Sequence, residues 1–151
     1  MKMLSVLILL FFVTGCANVV APKNYSVMAQ DVVLKDFDST WKRISEFFGE
    51  NNININAMEK ESGLITAETT RFPESFDCGS ASYTKDQDPV GRFNVFATGE
   101  GDITRVRFTV DAVVNRCTVN GYGQCVDSYL VNCNSRGTLE SSFYNYLKRE
   151  E

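Results

Sequence analysis

The strongest constraint on the fold is a long run of alternating residues in the second half of the chain. Val106, Phe108, Val110, Ala112 and Val114 stand two positions apart, and most of the positions around them are polar. Successive side chains of a β-strand point to opposite faces, so this run predicts a strand with one apolar and one solvated face. Such strands are typical of an antiparallel sheet that is covered on one side only.

Helical patterns near the two ends of the chain predict the layer that covers this sheet. Apolar residues recur at helical spacing at positions 37, 41, 44, 47 and 48, and again at positions 139, 143, 146 and 147. Further short strands are expected at residues 32–34, 53–57, 64–70, 93–98 and 126–133, and a long loop at residues 71–91. We therefore expect an α+β fold: an antiparallel sheet of about five to six strands with two helices on one face, in the order β-α-β-β-β-β-α.

Length and composition limit the function. A chain of 151 residues is long enough for one domain. Its formal charge of −4 argues against a general nucleic-acid-binding protein, which needs a basic surface. The chain has no histidine, which excludes Ser–His and Cys–His nucleophilic pairs, histidine general bases and histidine-ligated metals. We expect no cofactor, no metal and no enzyme activity.

The beginning of the chain has the pattern of an export signal. Lys2 supplies a positive charge, and residues 3–13 are apolar with Ser5 as the single polar interruption. This segment is too short to cross a bilayer as a helix, which needs about 20 residues. Its length matches the apolar region of a secretory signal.

The signal ends in Val13-Thr14-Gly15-Cys16, which resembles the lipobox of bacterial lipoproteins. The resemblance implies that residues 1–15 are removed and that Cys16 carries diacylglycerol and becomes the acylated N-terminus. Each buried CH₂ contributes about 0.8 kcal/mol, so two or three acyl chains anchor the chain essentially permanently. An Asp after the cysteine favours inner-membrane retention in Gram-negative lipoproteins, and here Ala17 and Asn18 follow. The resemblance therefore implies an outer-membrane anchor with the domain in the periplasm, and it leaves surface exposure open.

The residues after the lipid site show no periodic pattern and contain Pro22. They predict a flexible tether, so that residues 16–29 form the lipidated cysteine and a linker, and residues 30–151 form a single α+β domain. A flexible chain of this length spans about 20 Å on average. We therefore expect that the domain can stand away from the bilayer.

The four remaining cysteines predict disulfides. Cys78, Cys117, Cys125 and Cys133 are an even set in an exported chain and allow three pairings. A zinc site is the alternative, but the chain has no C-x-x-C motif to support it. The turn signal Asn120-Gly121 indicates a hairpin loop closed at its base, which favours Cys117–Cys125 and leaves Cys78–Cys133.

Three stretches in the first half of the domain resemble a unit found in envelope lipoproteins, and they are Asp38-Ser39-Thr40-Trp41-Lys42-Arg43-Ile44, Ile53-Asn54-Ile55 and Glu61-Ser62-Gly63-Leu64-Ile65-Thr66. The unit is a helix led by a tryptophan, a strand, a glycine turn and a second strand. A lipoprotein of the Bam complex that is built from helix-grip domains is one example. Residues 77–79 and 133–140 also resemble small outer-membrane lipoproteins whose paired cysteines are structural. The resemblance implies a helix-grip-like fold stapled by disulfides.

Four side chains are candidates for contact with a partner. Tyr122 stands in a glycine-rich loop, where an aromatic side chain is expected to be exposed. Arg105 and Arg107 fall on the solvated face of the alternating strand, and Arg92 lies in the preceding arm of the same hairpin. These three arginines form a basic surface for an acidic partner, or, more simply, belong to a solvated sheet face.

Other residues that could serve chemistry have simpler structural interpretations. Trp41 falls on the apolar stripe of the first helix, which predicts a core residue. Asp86 and Asp88 lack the glycine and distal glutamate of a calcium loop, so a solvated loop is expected. Cys78-Gly79-Ser80 has no histidine to activate a thiol nucleophile.

Together these features predict a membrane-anchored envelope lipoprotein. We expect it to act as a non-enzymatic accessory or interaction subunit of an outer-membrane complex, with the membrane and an envelope protein as partners. The alternative is a periplasmic binding module that takes a small ligand or a cell-wall fragment on the open face of the sheet.

The lipid anchor is tested by replacing Cys16→Ser. Because this change removes the acceptor thiol, the variant should lose incorporated radioactive fatty acid and leave the membrane fraction, whereas the wild-type chain carries the label. A wild-type chain that stays unlabelled would contradict the lipobox interpretation.

Overall fold

The computed structural model describes residues 18–149. The export signal and Cys16 lie outside the described residues. The strands are β1 (Val19–Val20), β2 (Gln30–Val33), β3 (Asn54–Glu59), β4 (Leu64–Thr69), β5 (Phe76–Asp77), β6 (Ser80–Ala81), β7 (Thr84–Asp86), β8 (Val90–Glu100), β9 (Ile103–Val119) and β10 (Cys125–Ser135). The helices are α1 (Phe37–Glu50) and α2 (Thr138–Lys148), and Pro73–Ser75 form a short 3₁₀ turn.

β9 is the central strand of the sheet. It has 17 residues and pairs antiparallel with four strands. β8 and then β7 lie along one of its edges, and β2 and then β10 lie along the other. The sheet runs β3-β4-β8-β9-β10-β5, and β2 and β7 complete its eight strands. β1 and β6 form a separate two-stranded sheet.

The predicted α+β class is confirmed, but the predicted strand number of five to six is wrong. The difference arises mainly in residues 71–91, where the sequence predicts a long loop and the structure contains β5, β6 and β7. These strands have two or three residues each, too few to show a periodic pattern. They form because β10, β1 and β9 offer them free backbone groups.

The inner face of the sheet packs beneath both helices in one hydrophobic core. The core residues of α1 are Trp41, Ile44, Phe47 and Phe48, and those of α2 are Leu139, Phe143, Tyr144 and Leu147. Alternating residues of β8 and β9 complete the core from the sheet side. Because the helices cover only one face, the other face stays solvated, as the alternation predicts.

α2 is held to β9 by stacked rings and by hydrogen bonds. The ring of Phe143 is fully buried, with its centroid 4.1 Å from that of Phe108 and 5.1 Å from that of Phe47. The neighbouring Tyr144 hydroxyl accepts a hydrogen bond from the Phe108 amide at 3.0 Å and donates to the Val106 carbonyl at 3.3 Å. Burial raises the pKa of Tyr144 to about 12. The hydroxyl therefore stays protonated and satisfies backbone groups of β9.

The described part of the predicted tether, residues 18–29, lies against the domain instead of extending away from it. Val19 pairs with Ala81 in the small sheet, and the Ala29 carbonyl accepts a hydrogen bond from the Phe108 amide at 3.0 Å. The segment has no sequence period because its contacts with the domain are irregular. Its order depends on residues that are distant in sequence.

Replacing Phe143→Ala should lower the free energy of unfolding by about 3–5 kcal/mol, because it leaves a cavity between the rings of Phe108 and Phe47. Denaturant unfolding without reductant measures the loss. Phe96→Ala is the matched control: Phe96 is 50% exposed on the open face, and its truncation should cost less than about 1 kcal/mol. Equal losses in the two variants would contradict this description of the core.

Candidate interaction surface

The first half of β10, next to the hairpin loop, is uncovered on both faces. The first six residues of β10, from Cys125 to Leu130, are all exposed. Neighbouring side chains of a strand point to opposite faces, so exposure of every residue means that no described element covers either face. This end of the sheet therefore needs bonds other than core packing to hold its shape.

Two disulfides brace β10, one near each end of the strand, and they have the pairing that the hairpin signal favours. Cys117–Cys125 joins β9 to β10 close to the hairpin loop, with the Cα atoms 5.6 Å apart. Cys78–Cys133 joins the segment after β5 to β10, with the Cα atoms 4.1 Å apart and a sequence separation of 55 residues. A loop of that length contributes about 4 kcal/mol in the chain-entropy model.

Arg116 is a buried cation of β9 that ties two other segments to this strand near the hairpin loop. Its side chain is 4% exposed, and its Nε and Nη2 donate to the two carboxylate oxygens of Asp86 at 2.6 and 2.7 Å. Nη2 also donates to the carbonyls of Cys78 at 2.9 Å and Gly79 at 3.2 Å. The hydrogen-bonded carboxylate of Asp86 raises the pKa of Arg116, so the guanidinium keeps its charge.

The position of Asp86 differs from the solvated loop that the sequence predicts. Asp86 lies in a strand and serves as the ion-pair partner of Arg116.

Among residues 18–149, no group of three or more cysteine, aspartate or glutamate side chains could hold a metal ion.

Residues 18–29 are clamped next to the Cys78–Cys133 disulfide. The Tyr25 hydroxyl donates to Asp77 Oδ2 at 2.8 Å. The Gly79 amide and then the Tyr25 hydroxyl lower the pKa of Asp77, so the acceptor stays ionised. Gly79 has a φ of +63°, and a Cβ there would come within 2.9 Å of the Ala21 carbonyl carbon. Glycine is required at this position because the N-terminal segment passes so close.

Tyr122 lies at the tip of the hairpin, as the sequence predicts, and is 91% exposed. The Asn120 side-chain oxygen accepts hydrogen bonds from the amides of Tyr122 at 2.9 Å and Gln124 at 3.1 Å. The Gly123 amide donates to the Asn120 carbonyl at 2.9 Å. The loop is therefore ordered by its own hydrogen bonds and holds the Tyr122 ring out in solvent.

Tyr83 is a second exposed aromatic residue, and no sequence pattern singles it out. It is 80% exposed in the turn between β6 and β7, and its φ is +57°. The Val119 amide donates to the Tyr83 carbonyl at 2.8 Å, which places this turn beside the base of the hairpin. A positive φ is uncommon for a residue other than glycine. Nothing in residues 71–91 distinguishes Tyr83 from an ordinary loop residue.

The outer edge of β10 is unpaired over most of its length among the described strands. β9 occupies one edge, and β5 pairs with only Asn134 and Ser135 on the other. Tyr129 and Leu130 lie on this edge and are 45% and 74% exposed. An edge with free backbone groups and exposed apolar side chains is a template for pairing with another strand.

The three arginines predicted to share the solvated face do share it, but two of them are paired there. Arg92 Nε donates to Asp111 Oδ1 at 3.1 Å, and Arg105 Nε donates to Glu100 Oε1 at 2.7 Å. The hydrogen bond from Arg105 lowers the pKa of Glu100. These exposed ion pairs add little stability. However, Asp111 and Glu100 offset the charges of Arg92 and Arg105, so the net positive charge of the three-arginine face is small. The face is therefore a weaker site for an acidic partner than the sequence suggests.

Two buried residues that could belong to a site are explained by the fold. Trp41 is 6% exposed and stacks on Phe37 with ring centroids 5.6 Å apart, which makes it a core residue, as predicted. Glu140 is 1% exposed and accepts a hydrogen bond from the Ser135 hydroxyl at 2.8 Å. The same hydroxyl accepts from the Gly137 amide at the start of α2. Burial raises the pKa of Glu140. Its carboxyl group holds the Ser135 hydroxyl in place beside the first turn of α2.

No protein-family model matches the chain, and no curated protein matches it significantly. Neither helix within residues 18–149 is long and apolar enough to cross a membrane. The function is therefore inferred from the residues of this chain alone.

Replacing Tyr25→Phe should loosen the clamped segment, because Asp77 loses a hydrogen-bond donor. We expect trypsin to cleave after Lys23 several times faster than in the wild type, as followed by mass spectrometry under native conditions. Tyr122→Phe is the matched control, since the Tyr122 ring points into solvent, and its cleavage rate should be unchanged. Equal rates in all three proteins would show that the segment is not held by this contact.

Proposed function

We propose that this protein is a lipid-anchored envelope lipoprotein that acts as a non-enzymatic interaction subunit of an outer-membrane complex. In this proposal residues 1–15 are the signal peptide, Cys16 carries the lipid, and the domain faces the periplasm. An orientation toward the cell surface is a variant of the same proposal. The two disulfides support it, because such bonds form and persist in an oxidising compartment.

The observation that carries the interaction role is the unpaired edge of β10. Folded proteins usually protect such edges with charge, proline or a covering element. Here Asp127 is the charged residue on the exposed stretch, and Tyr129 and Leu130 present apolar side chains on opposite faces. The partner that fits is an extended segment of an envelope protein, which pairs with the edge through its backbone and packs apolar side chains at alternate positions.

The braced end of the sheet supports this role as well. The Cys117–Cys125 disulfide and the Arg116–Asp86 ion pair hold β7, β9 and β10 in place where neither described helix covers them. A rigid edge loses less conformational entropy when a strand is added to it.

We also propose that the fold is helix-grip-like, as the resemblance to the Bam-complex lipoprotein implies. The antiparallel sheet and the C-terminal helix packed on it support this interpretation. The likeness concerns the fold and does not extend to membership of that complex.

A second candidate function is the binding of a small ligand or a cell-wall fragment. An open groove of about 840 Å³ lies at the far end of the sheet, between the start of α1 and the β3–β4 turn. Phe37 and the half-exposed Phe96 contribute aromatic surface to it. Glu61 and Lys60 contribute charges of opposite sign, and Lys60 is ion-paired with Asp38 at 2.9 Å. Exposed aromatic surface with polar groups beside it suits a sugar of a cell-wall fragment.

Photo-crosslinking in intact cells distinguishes the two functions. A benzophenone amino acid at Leu130 of the full-length protein should capture one reproducible envelope protein, and the same probe at Phe96 should not. The substitution Tyr129→Lys should weaken capture at Leu130, because it places a charge on the pairing edge. Recovery of a glycan or small molecule at Phe96, without a protein at Leu130, would favour the binding module and contradict the interaction subunit.

A further inference from the structure

We propose that one end of the domain rests on the bilayer surface, held there by the lipid on Cys16. The inference rests on the proposed function and adds a second membrane contact to it. The contact is the anchor-side surface, which we define as residues 18–20, residues 82–83 and residues 120–126. This proposal replaces the expectation that residues 16–29 form a tether that lets the domain stand away from the membrane.

Hydrogen bonds place the three parts of the anchor-side surface next to one another. The Ser82 amide donates to the Asn18 carbonyl at 3.2 Å, and the Val119 amide donates to the Tyr83 carbonyl at 2.8 Å. Val119 is the register partner of Cys125 across the hairpin. The start of the described chain, the β6–β7 turn and the hairpin loop therefore form one continuous end of the molecule.

Exposed apolar and aromatic side chains are concentrated on the anchor-side surface. Five of the twelve strongly exposed large apolar or aromatic residues of the described chain lie within it, namely Val19, Val20, Tyr83, Tyr122 and Val126. Tyrosine is enriched where proteins meet the headgroup region, because its ring is apolar and its hydroxyl remains hydrated. Tyr83 and Tyr122 are the two most exposed tyrosines of the described chain, at 80% and 91%.

The anchor-side surface carries no charged residue, although the chain has 15 basic and 19 acidic side chains. The nearest acidic residues along the chain are Asp86, whose charge is paired with Arg116, and Asp127. Lys23 and Lys85 flank the surface. A surface without carboxylates avoids repulsion by anionic lipids, and the flanking lysines attract them.

The position of Cys16 identifies the bilayer as the partner of the anchor-side surface. Cys16 precedes Asn18 by two residues, so the two lie at most about 7 Å apart along an extended chain. Acyl chains on Cys16 would place that residue at the membrane interface. From Asn18 onward the chain is held to β6 and to the Tyr25–Asp77 contact, so little slack separates the lipid from the domain. The surface nearest the lipid is therefore the uncharged one.

Tryptophan fluorescence in vesicles tests the contact. The full-length lipoprotein is purified from membranes and reconstituted into phosphatidylethanolamine–phosphatidylglycerol vesicles that contain brominated acyl chains, which quench nearby tryptophan. In separate Tyr122→Trp and Tyr83→Trp variants, the new emission should shift to shorter wavelength and be quenched about two-fold, as expected at the interface. The wild-type protein contains only Trp41, which is buried in the core. Its emission should not be quenched, and it is subtracted from that of each variant.

Phe96→Trp is the matched control, because Phe96 is also an exposed aromatic residue of the sheet. It pairs with Arg107, which lies about 40 Å from Val119 along β9. Its emission should not be quenched. Thermal unfolding of each variant checks the fold, and Tyr122→Trp, at the tip of an exposed loop, carries the test if Tyr83→Trp is destabilised.

The outcomes separate this inference from the proposed function. If the wild-type protein does not float with the vesicles and carries no acyl chain, the lipid anchor itself is wrong. If the acylated protein floats but the Tyr122→Trp and Tyr83→Trp variants are quenched no more than the Phe96→Trp variant, the anchor stands and the membrane contact is wrong. A photo-crosslinker at Tyr122 that captures a protein but no lipid in intact cells would also overturn the inference.

Discussion

β9 is longer than either helix that packs on it, and the rest of the structure depends on this mismatch. A strand of 17 residues extends about 55 Å, whereas helices of 14 and 11 residues extend about 21 and 17 Å. The helices can therefore bury only part of the sheet. β9 pairs with β8 and β7 along one edge and with β2 and β10 along the other. These pairings satisfy the hydrogen-bonding groups of its backbone along most of its length.

The covered and uncovered parts of the sheet are stabilised by different physics. Beneath the helices, stacked rings such as Phe108 and Phe143 bury apolar surface. Beyond the helices, covalent bonds and a buried ion pair replace the missing core: Cys117–Cys125 closes the hairpin, and Arg116 gathers Asp86 and two backbone carbonyls. Small exported domains commonly use disulfides in this way, where a core cannot supply enough stability.

Because a disulfide and an ion pair stabilise the uncovered end of the sheet without a covering helix, its surface stays free to make contacts. The outer edge of β10 presents backbone groups beside Tyr129 and Leu130, which suits an added strand. The tip carries Tyr122 and Tyr83 without charge, which suits a lipid headgroup region. In our proposals the two surfaces act together, because a domain resting on the membrane would present its β10 edge in a defined orientation to a neighbouring envelope protein.

Local patterns along the chain are enough to predict the α+β class, the two helices and the strand at residues 106–114, because periodicity depends only on nearby residues. The hairpin loop likewise indicates the cysteine pairing. The sequence does not predict β5 to β7, the burial of Tyr144 in addition to Tyr146, or the clamped segment at residues 18–29. Each of these depends on partners that are distant along the chain, such as Tyr25 with Asp77. The sequence by itself determined which faces of the strands and helices are apolar. Only the tertiary structure decided that the N-terminal segment folds back beside Tyr83, because that contact needs β6, the β6–β7 turn and the β9–β10 hairpin to be in place first.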